Sequence, residues 1–143
     1  MTNFDEYRDV FVVADTIDDV VHPVTYELIG QARRIAKELG QLVQVMLLGE
    51  NVQAEAEELV AHGADIVHVF ESPLLKYYTT DGYTKVLTDF FEDHKPNILL
   101  IGATNNGRDL APRMSGRMQN GVVADCTILT VDTEEGLVEW TRP

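Results

Sequence analysis

The turn Thr104-Asn-Asn-Gly-Arg-Asp109 gathers the groups of this chain best suited to binding chemistry. Thr104, Asn105 and Asn106 offer side-chain and backbone hydrogen bonds, Gly107 offers relief at a left-handed turn position, and Arg108 and Asp109 add one charge of each sign. Arg113 and Arg117 follow four residues apart, which puts them on one helix face. From Gly102 to Cys126 three arginines stand against two acids, Asp109 and Asp125, in a chain whose net charge is −13. A cationic surface on so acidic a protein suits an acidic partner or a phosphate-bearing ligand, and arginine's planar fork serves interfaces better than lysine's point charge. The plain alternative is a solvated face, or arginines paired with carboxylates of the same chain.

The elements that must position these groups follow from the flanking sequence. Asn97-Ile-Leu-Leu-Ile-Gly102 is a short unbroken apolar run, as in a parallel strand covered on both faces. Pro112 suits the first turn of a helix, where its missing N–H is not needed, so a helix is predicted to begin at Arg108 or Asp109. Ala103 to Gly107 therefore lies at the carboxyl end of a strand, the edge at which open α/β sheets bind ligands and partners. Further strands are predicted over Asp9 to Asp15, Leu42 to Gly49, Asp65 to Glu71 and Val122 to Val131. Helical stripes run from Val24 to Leu39, stopping before Gly40, from Val52 to Val60, ending near Gly63, and from Tyr83 to Phe91, closed by Lys95-Pro96. Asp132 to Gly136 reads as a turn, with a last strand-like run over Leu137 to Trp140. This alternation predicts an α/β fold, a doubly wound parallel sheet with helices on both faces and right-handed crossovers.

Length and composition set the bounds. At 143 residues, 45% hydrophobic and 24% charged, the chain reads as one soluble globular domain over 1–143. Its net charge of −13 would repel nucleic acid and anionic membranes, so neither is an expected partner. The opening residues are polar and acidic, unlike a signal peptide, and no apolar run approaches the ~18 residues of a membrane span. Cys126, the single cysteine, lies in an apolar stretch without a partner base, which fits a packed thiol in a reducing cytoplasm. His22, His62, His68 and His94 fall on separate elements without zinc-site spacing and are read as surface or capping residues. No metal is expected. Asp15, Asp18 and Asp19 could hold a hard cation, but a solvated acidic loop is the simpler reading. With no glycine among them, they also argue against a phosphate loop after the first strand. In Lys76-Tyr-Tyr78 the tyrosines are either interface anchors or folded back on the domain.

Taken together, Gly102 to Arg113 (GATNNGRDLAPR) and Gly121 to Thr127 (GVVADCT) resemble the amino-terminal domain of electron-transfer flavoprotein alpha subunits. VFVVAD at Val10 to Asp15 and HPVTYELIGQAR at His22 to Arg33 resemble it too, so the likeness covers nearly the whole chain. The resemblance implies the adenine-nucleotide-alpha-hydrolase-like (HUP) sandwich shared with universal stress proteins and ATP pyrophosphatases. It implies a non-catalytic domain that forms a rigid shell with a beta subunit, against which an FAD domain moves. That FAD domain would begin after residue 143 and is absent here, so the fragment alone is not expected to retain FAD. The resemblance places Thr104, Asn105, Asn106, Gly107, Arg108, Asp109, Arg113, Arg117 and Asp125 at the subunit or flavin interface. It places Arg142 at the junction with the FAD domain, near the partner's flavin, where a cation would favour the reduced anionic form. The implied partners are the beta subunit, an acyl-CoA or related dehydrogenase of fatty acid β-oxidation, and, in bifurcating forms, NADH and ferredoxin.

Two rival readings stand beside this one. A universal-stress-type sensor would bind ATP or AMP by itself. An enzyme would turn Asn105, Arg108 and Asp109 on a phosphorylated substrate, and would need a base that the sequence does not identify.

Overall fold

A computed structural model describes residues 7–119, 127–132 and 137–141. Strand β1 (Val10–Val13) runs into a hairpin of two short strands, β2 (Thr16–Ile17) and β3 (Val20–Val21). There follow α1 (Pro23–Leu39), β4 (Val43–Gly49), α2 (Gln53–Ala61), β5 (Ile66–Glu71), a single 3-10 turn (Pro73–Leu75), α3 (Thr80–Asp93), β6 (Ile98–Gly102), α4 (Asn105–Gln119), β7 (Thr127–Asp132) and β8 (Leu137–Thr141). The main sheet has the order β5-β4-β1-β6-β7-β8. Its first five strands are parallel, as the sequence predicts, but β8 runs antiparallel to β7 and makes the sheet mixed. A strand joined to its neighbour by a short turn can only fold back antiparallel.

Strand periodicity separates two cores. Phe11 and Val13 join Met46, Leu48, Leu99 and Ile101 under α3 and α4, while Val10 and Val12 join Val45, Leu47 and Leu100 under α1 and α2. Phe91 of α3 is fully buried and meets the Phe11 ring edge-on at 5.4 Å. Burying one such side chain contributes about 1.5–3 kcal/mol.

Helix α1 shows how local chemistry sets its limits. His22 Nδ1 accepts the Val24 N–H (3.0 Å) and Pro23 occupies the first turn, while Gly40 closes the helix at φ 66° and Gln41 N bonds back to Ala36 O (2.9 Å).

The predicted start of α4 is corrected. The helix begins at Asn105, so Pro112 lies in its interior rather than in its first turn. Thr104 caps the end by accepting the Gly107 N–H on Oγ1 (3.0 Å). Pro112 is exposed, and buried Leu110, Ala111, Met114 and Met118 hold the turns around it, which offsets the absent N–H.

Candidate functional site

The chain enters the sheet at its centre, with α1 and α2 on one face and α3 and α4 on the other, so the order reverses between β1 and β6. Ligand crevices of open α/β sheets form at such a switch point. Here the crevice lies between the segments that leave β1 and β6. Asp15, Ile17, His22, Glu27, Thr104, Asn105, Asn106 and Arg108 line a groove on the α1 side.

Asp15 and Thr104 close the middle of the crevice, the threonine hydroxyl donating to Asp15 Oδ2. Asp15 is further fixed through its backbone, its N–H reaching Thr25 Oγ1 (3.0 Å) and its carbonyl accepting His22 N (2.7 Å). Arg108 bends back, its Nε donating to Ala103 O (3.3 Å), with the side chain still exposed. Asn105 is also exposed and Asn106 half-buried.

Gly107 is helical rather than left-handed, which corrects the expected turn role. It is needed because a Cβ there would stand 1.8 Å from Gly102 O, so β6 and α4 touch backbone to backbone. Gly102 is similarly hemmed in by Val24, whose Cγ1 would lie 3.1 Å from a Cβ.

The remaining candidates diverge. Asp109 faces α3, accepting hydrogen bonds from Tyr78 OH (2.7 Å) and Thr80 Oγ1 on the same oxygen. The Thr80 and Tyr78 hydroxyls hold its carboxyl below the ordinary range, while burial and the Asp109 contact push the Tyr78 phenol up. Arg113 pairs with Asp81 (2.9 Å), and Arg117 is exposed on the same helix. Asp125 and Arg142 lie outside the described residues, as does Cys126.

The acidic residues after β1 form structure that sequence reasoning missed. They build the β2–β3 hairpin, with Asp18 (φ 51°) and Asp19 (φ 64°) at its turn. Two positive φ angles are what a two-residue hairpin of right-handed twist demands. Asp19 accepts the Glu50 (2.8 Å) and Asn51 (3.1 Å) N–H groups, and Asp18 pairs with Lys76 (3.7 Å). The loop is thus neither free nor a cation site, and among the described residues no cluster could hold a metal ion. Tyr83 adds another tie, its hydroxyl donating to Leu75 O (2.8 Å) near Thr16 Oγ1 (3.4 Å). Of the two loop tyrosines, Tyr78 folds back onto Tyr83 and Tyr77 stays exposed.

Three histidines fit the surface or capping reading, His22 at the start of α1, exposed His62 at the end of α2 and His94 at the end of α3. His68 does not. It is half-buried among Phe11, Phe90 and His94 with Nε2 2.6 Å from Gln44 Oε1, and burial lowers its pKa.

The carboxylate at the switch point disfavours a nucleotide phosphate beside it. The Ala103, Gly107 and Arg108 amides are already bonded to Val131 O, Thr104 Oγ1 and Thr104 O, and a carboxylate stands across the crevice. Phosphate sites need free amides and no anion at that point.

The fold as a class is the α/β sandwich of universal stress proteins. A crystal structure of a universal stress protein in complex with cAMP superposes on 89% of this chain and 98% of its own, with TM-score 0.53 and 15% identity, which concerns the fold alone. The Electron transfer flavoprotein domain family matches residues 10–143, and the chain belongs to that family, matching the amino-terminal domain of its alpha subunits. It is 45% identical over 138 residues to the electron transfer flavoprotein subunit alpha of Megasphaera elsdenii, covering 96% of this chain and 41% of that subunit. It is also 45% identical over 133 residues to the LctC subunit of the NAD(+),ferredoxin lactate dehydrogenase of Acetobacterium woodii, covering 93% of this chain and 32% of that one. The Protein FixB of Rhizobium meliloti is 40% identical across 98% of this chain and 40% of its own length. The chain therefore spans about two fifths or less of these relatives. Such relatives do not favour the stress-sensor reading. Among the described residues, no helix is long and apolar enough to cross a membrane.

Proposed function

We propose that this chain serves as the amino-terminal shell of an electron-transfer flavoprotein alpha subunit, docking against a beta subunit and performing no chemistry itself. One observation carries this reading most directly. The switch-point crevice is closed by Asp15 and Thr104, while the neighbouring first turn of α4 presents exposed Asn105 and Arg108. A crevice bridged at its middle by a carboxylate and flanked by exposed polar groups suits a protein surface better than a phosphate-bearing ligand.

In this proposal Thr104, Asn105, Asn106, Gly107 and Arg108 form or support the beta-subunit or flavin-facing edge. Asp109, Arg113, Arg117 and Asp125 extend it along and beyond α4, and Arg142 approaches the partner's flavin. FAD is carried by other parts of the cytoplasmic complex, since the residues around Asp15 do not suit its phosphates. The complex would pass electrons from a dehydrogenase, of the acyl-CoA or a related class, to an acceptor. The lactate dehydrogenase relative keeps bifurcation with NADH and ferredoxin within the proposal.

The test is co-expression with the cognate beta subunit, followed by size exclusion with flavin absorbance recorded. Co-elution, with any flavin or AMP traced to the beta chain, is expected. Separate elution with nucleotide held by this chain alone would overturn the proposal.

A further inference from the structure

At the opposite, amino-terminal end of the sheet, α1, α2 and the start of β5 enclose a groove that belongs to no part of the site above. Its walls carry Arg33, Arg34 and Lys37, and the one acid lining it is Asp65. Asp65 is committed, since its Oδ2 accepts the Val43 N–H (2.8 Å). None of the three cations has a carboxylate within ion-pairing distance among the described residues, and all three are exposed. In a chain of net charge −13 with 24 acids against 11 bases, three unpaired cations in one groove are a local reversal of sign.

The groove is also shaped. Arg33 lies flat across Gly63, where a Cβ would come within 2.4 Å of Nη1 and 2.5 Å of Cδ. Gly63, at φ 120°, thus leaves room for the arginine stem. Beside the cations stands an exposed apolar side chain that water does not favour, Val60 on the wall (53% exposed). Lys37 lies in the last turn of α1, where the helix dipole favours a cation, but Arg33 and Arg34 lie too far back for that to explain them.

We infer that this groove docks an acidic polypeptide segment that carries an apolar residue among its carboxylates. Arginine supplies forked hydrogen bonds to carboxylate, and exposed Val60 on the rim supplies an apolar anchor. A nucleic acid would gain nothing from the apolar rim and would meet the repulsion of the remaining surface along its length. A short acidic segment confines its charge to the groove.

The experiment is fluorescence anisotropy of the purified chain with a fluorescein-labelled peptide, Asp-Glu-Leu-Glu-Asp-Leu-Glu-Glu. It needs neither beta subunit nor flavin, so its result is separate from that of the co-elution test. Saturable binding weakened by added salt is expected, with affinity falling about tenfold or more in Arg33→Gln/Arg34→Gln/Lys37→Gln. A several-fold loss is expected when serine replaces both leucines of the peptide, or in Val60→Ser. Circular dichroism should show every variant folded, because the altered residues are exposed. No binding, equal binding by the triple variant, or tighter binding of a single-stranded oligonucleotide of equal charge would each overturn the inference.

Discussion

The segments that leave β1 and β6 start side by side at the centre of the sheet and use their polar groups in opposite ways. After β1, Asp15, Thr16, Asp18 and Asp19 turn inward or sideways, to Thr104, Leu48 O, Lys76 and the Glu50 and Asn51 amides. After β6, Thr104 is also committed, but Asn105 and Arg108 keep exposed side chains. One segment is a bolt and the other, on the proposed reading, a contact surface. On that reading, the first strand's loop bridges the crevice with a carboxylate that disfavours a phosphate, while the neighbouring helix, tied to it through Thr104, supplies a recognition edge.

The comparison can be broken most severely at the backbone contact beneath it. Gly107→Ala places a methyl 1.8 Å from Gly102 O, so a loss of about 3 kcal/mol or more is expected on chemical denaturation. Gly116→Ala in the same helix meets nothing within 4 Å and should be neutral or stabilising by up to about 1 kcal/mol. Equal effects at the two glycines would refute the close approach.

Each bolt should matter less. Asp19→Gly keeps the positive φ available but removes both hydrogen bonds to the α2 approach, at an expected cost of about 1–2 kcal/mol. Thr104→Ala should cost a similar ~1–2 kcal/mol through loss of the α4 cap. Arg108→Glu should cost no more than about 1 kcal/mol of stability, through the bond to Ala103 O, while weakening beta-subunit association about tenfold, about 1.4 kcal/mol, in a titration of purified subunits. Arg113→Glu should weaken it less, because that arginine already pairs with Asp81.

The smallest effect expected is on pH dependence. Burial lowers the folded-state pKa of His68, so the unfolded chain binds the proton more readily. Its stabilising contribution is therefore complete above the ordinary imidazole value of 6.5 and is lost as pH falls through the lower folded value. The carboxyls of Asp109 and of Glu71, the latter lowered by hydrogen bonds from the Gln53 side chain and the Val52 N–H, act in the same direction, but from ordinary values of 3.8 and 4.5 downward. His68→Phe should remove the slope just below neutrality and leave the acidic limb intact in thermal melts.

Much of the central architecture was legible because its signals are local. The apolar run before Gly102, the stripes of α1 and α3, and Gly40 each act within a few residues. The start of α4 does not follow from Pro112 alone, because the Thr104 cap and buried Leu110 and Met114 decide it together. The hairpin was missed because its strands are two residues each and Asp-Asp is a weak turn signal beside Asn-Gly or Asp-Gly. Tyr78 and Asp109 stand 31 residues apart, and His68 meets Phe11 and Phe90 across separate elements; no spacing rule reaches such contacts. The sequence points to a backbone role for Gly107, but its reason, the approach to Gly102 O, lies in tertiary structure.

The division between bolt and contact surface is tested most directly by hydrogen–deuterium exchange of the chain with and without its cognate beta subunit. Partner-dependent protection is expected over 103–109, with the β2–β3 hairpin already slow to exchange in the free chain. A hairpin that exchanges freely until the partner binds, or a first turn of α4 that the partner leaves unprotected, would contradict it.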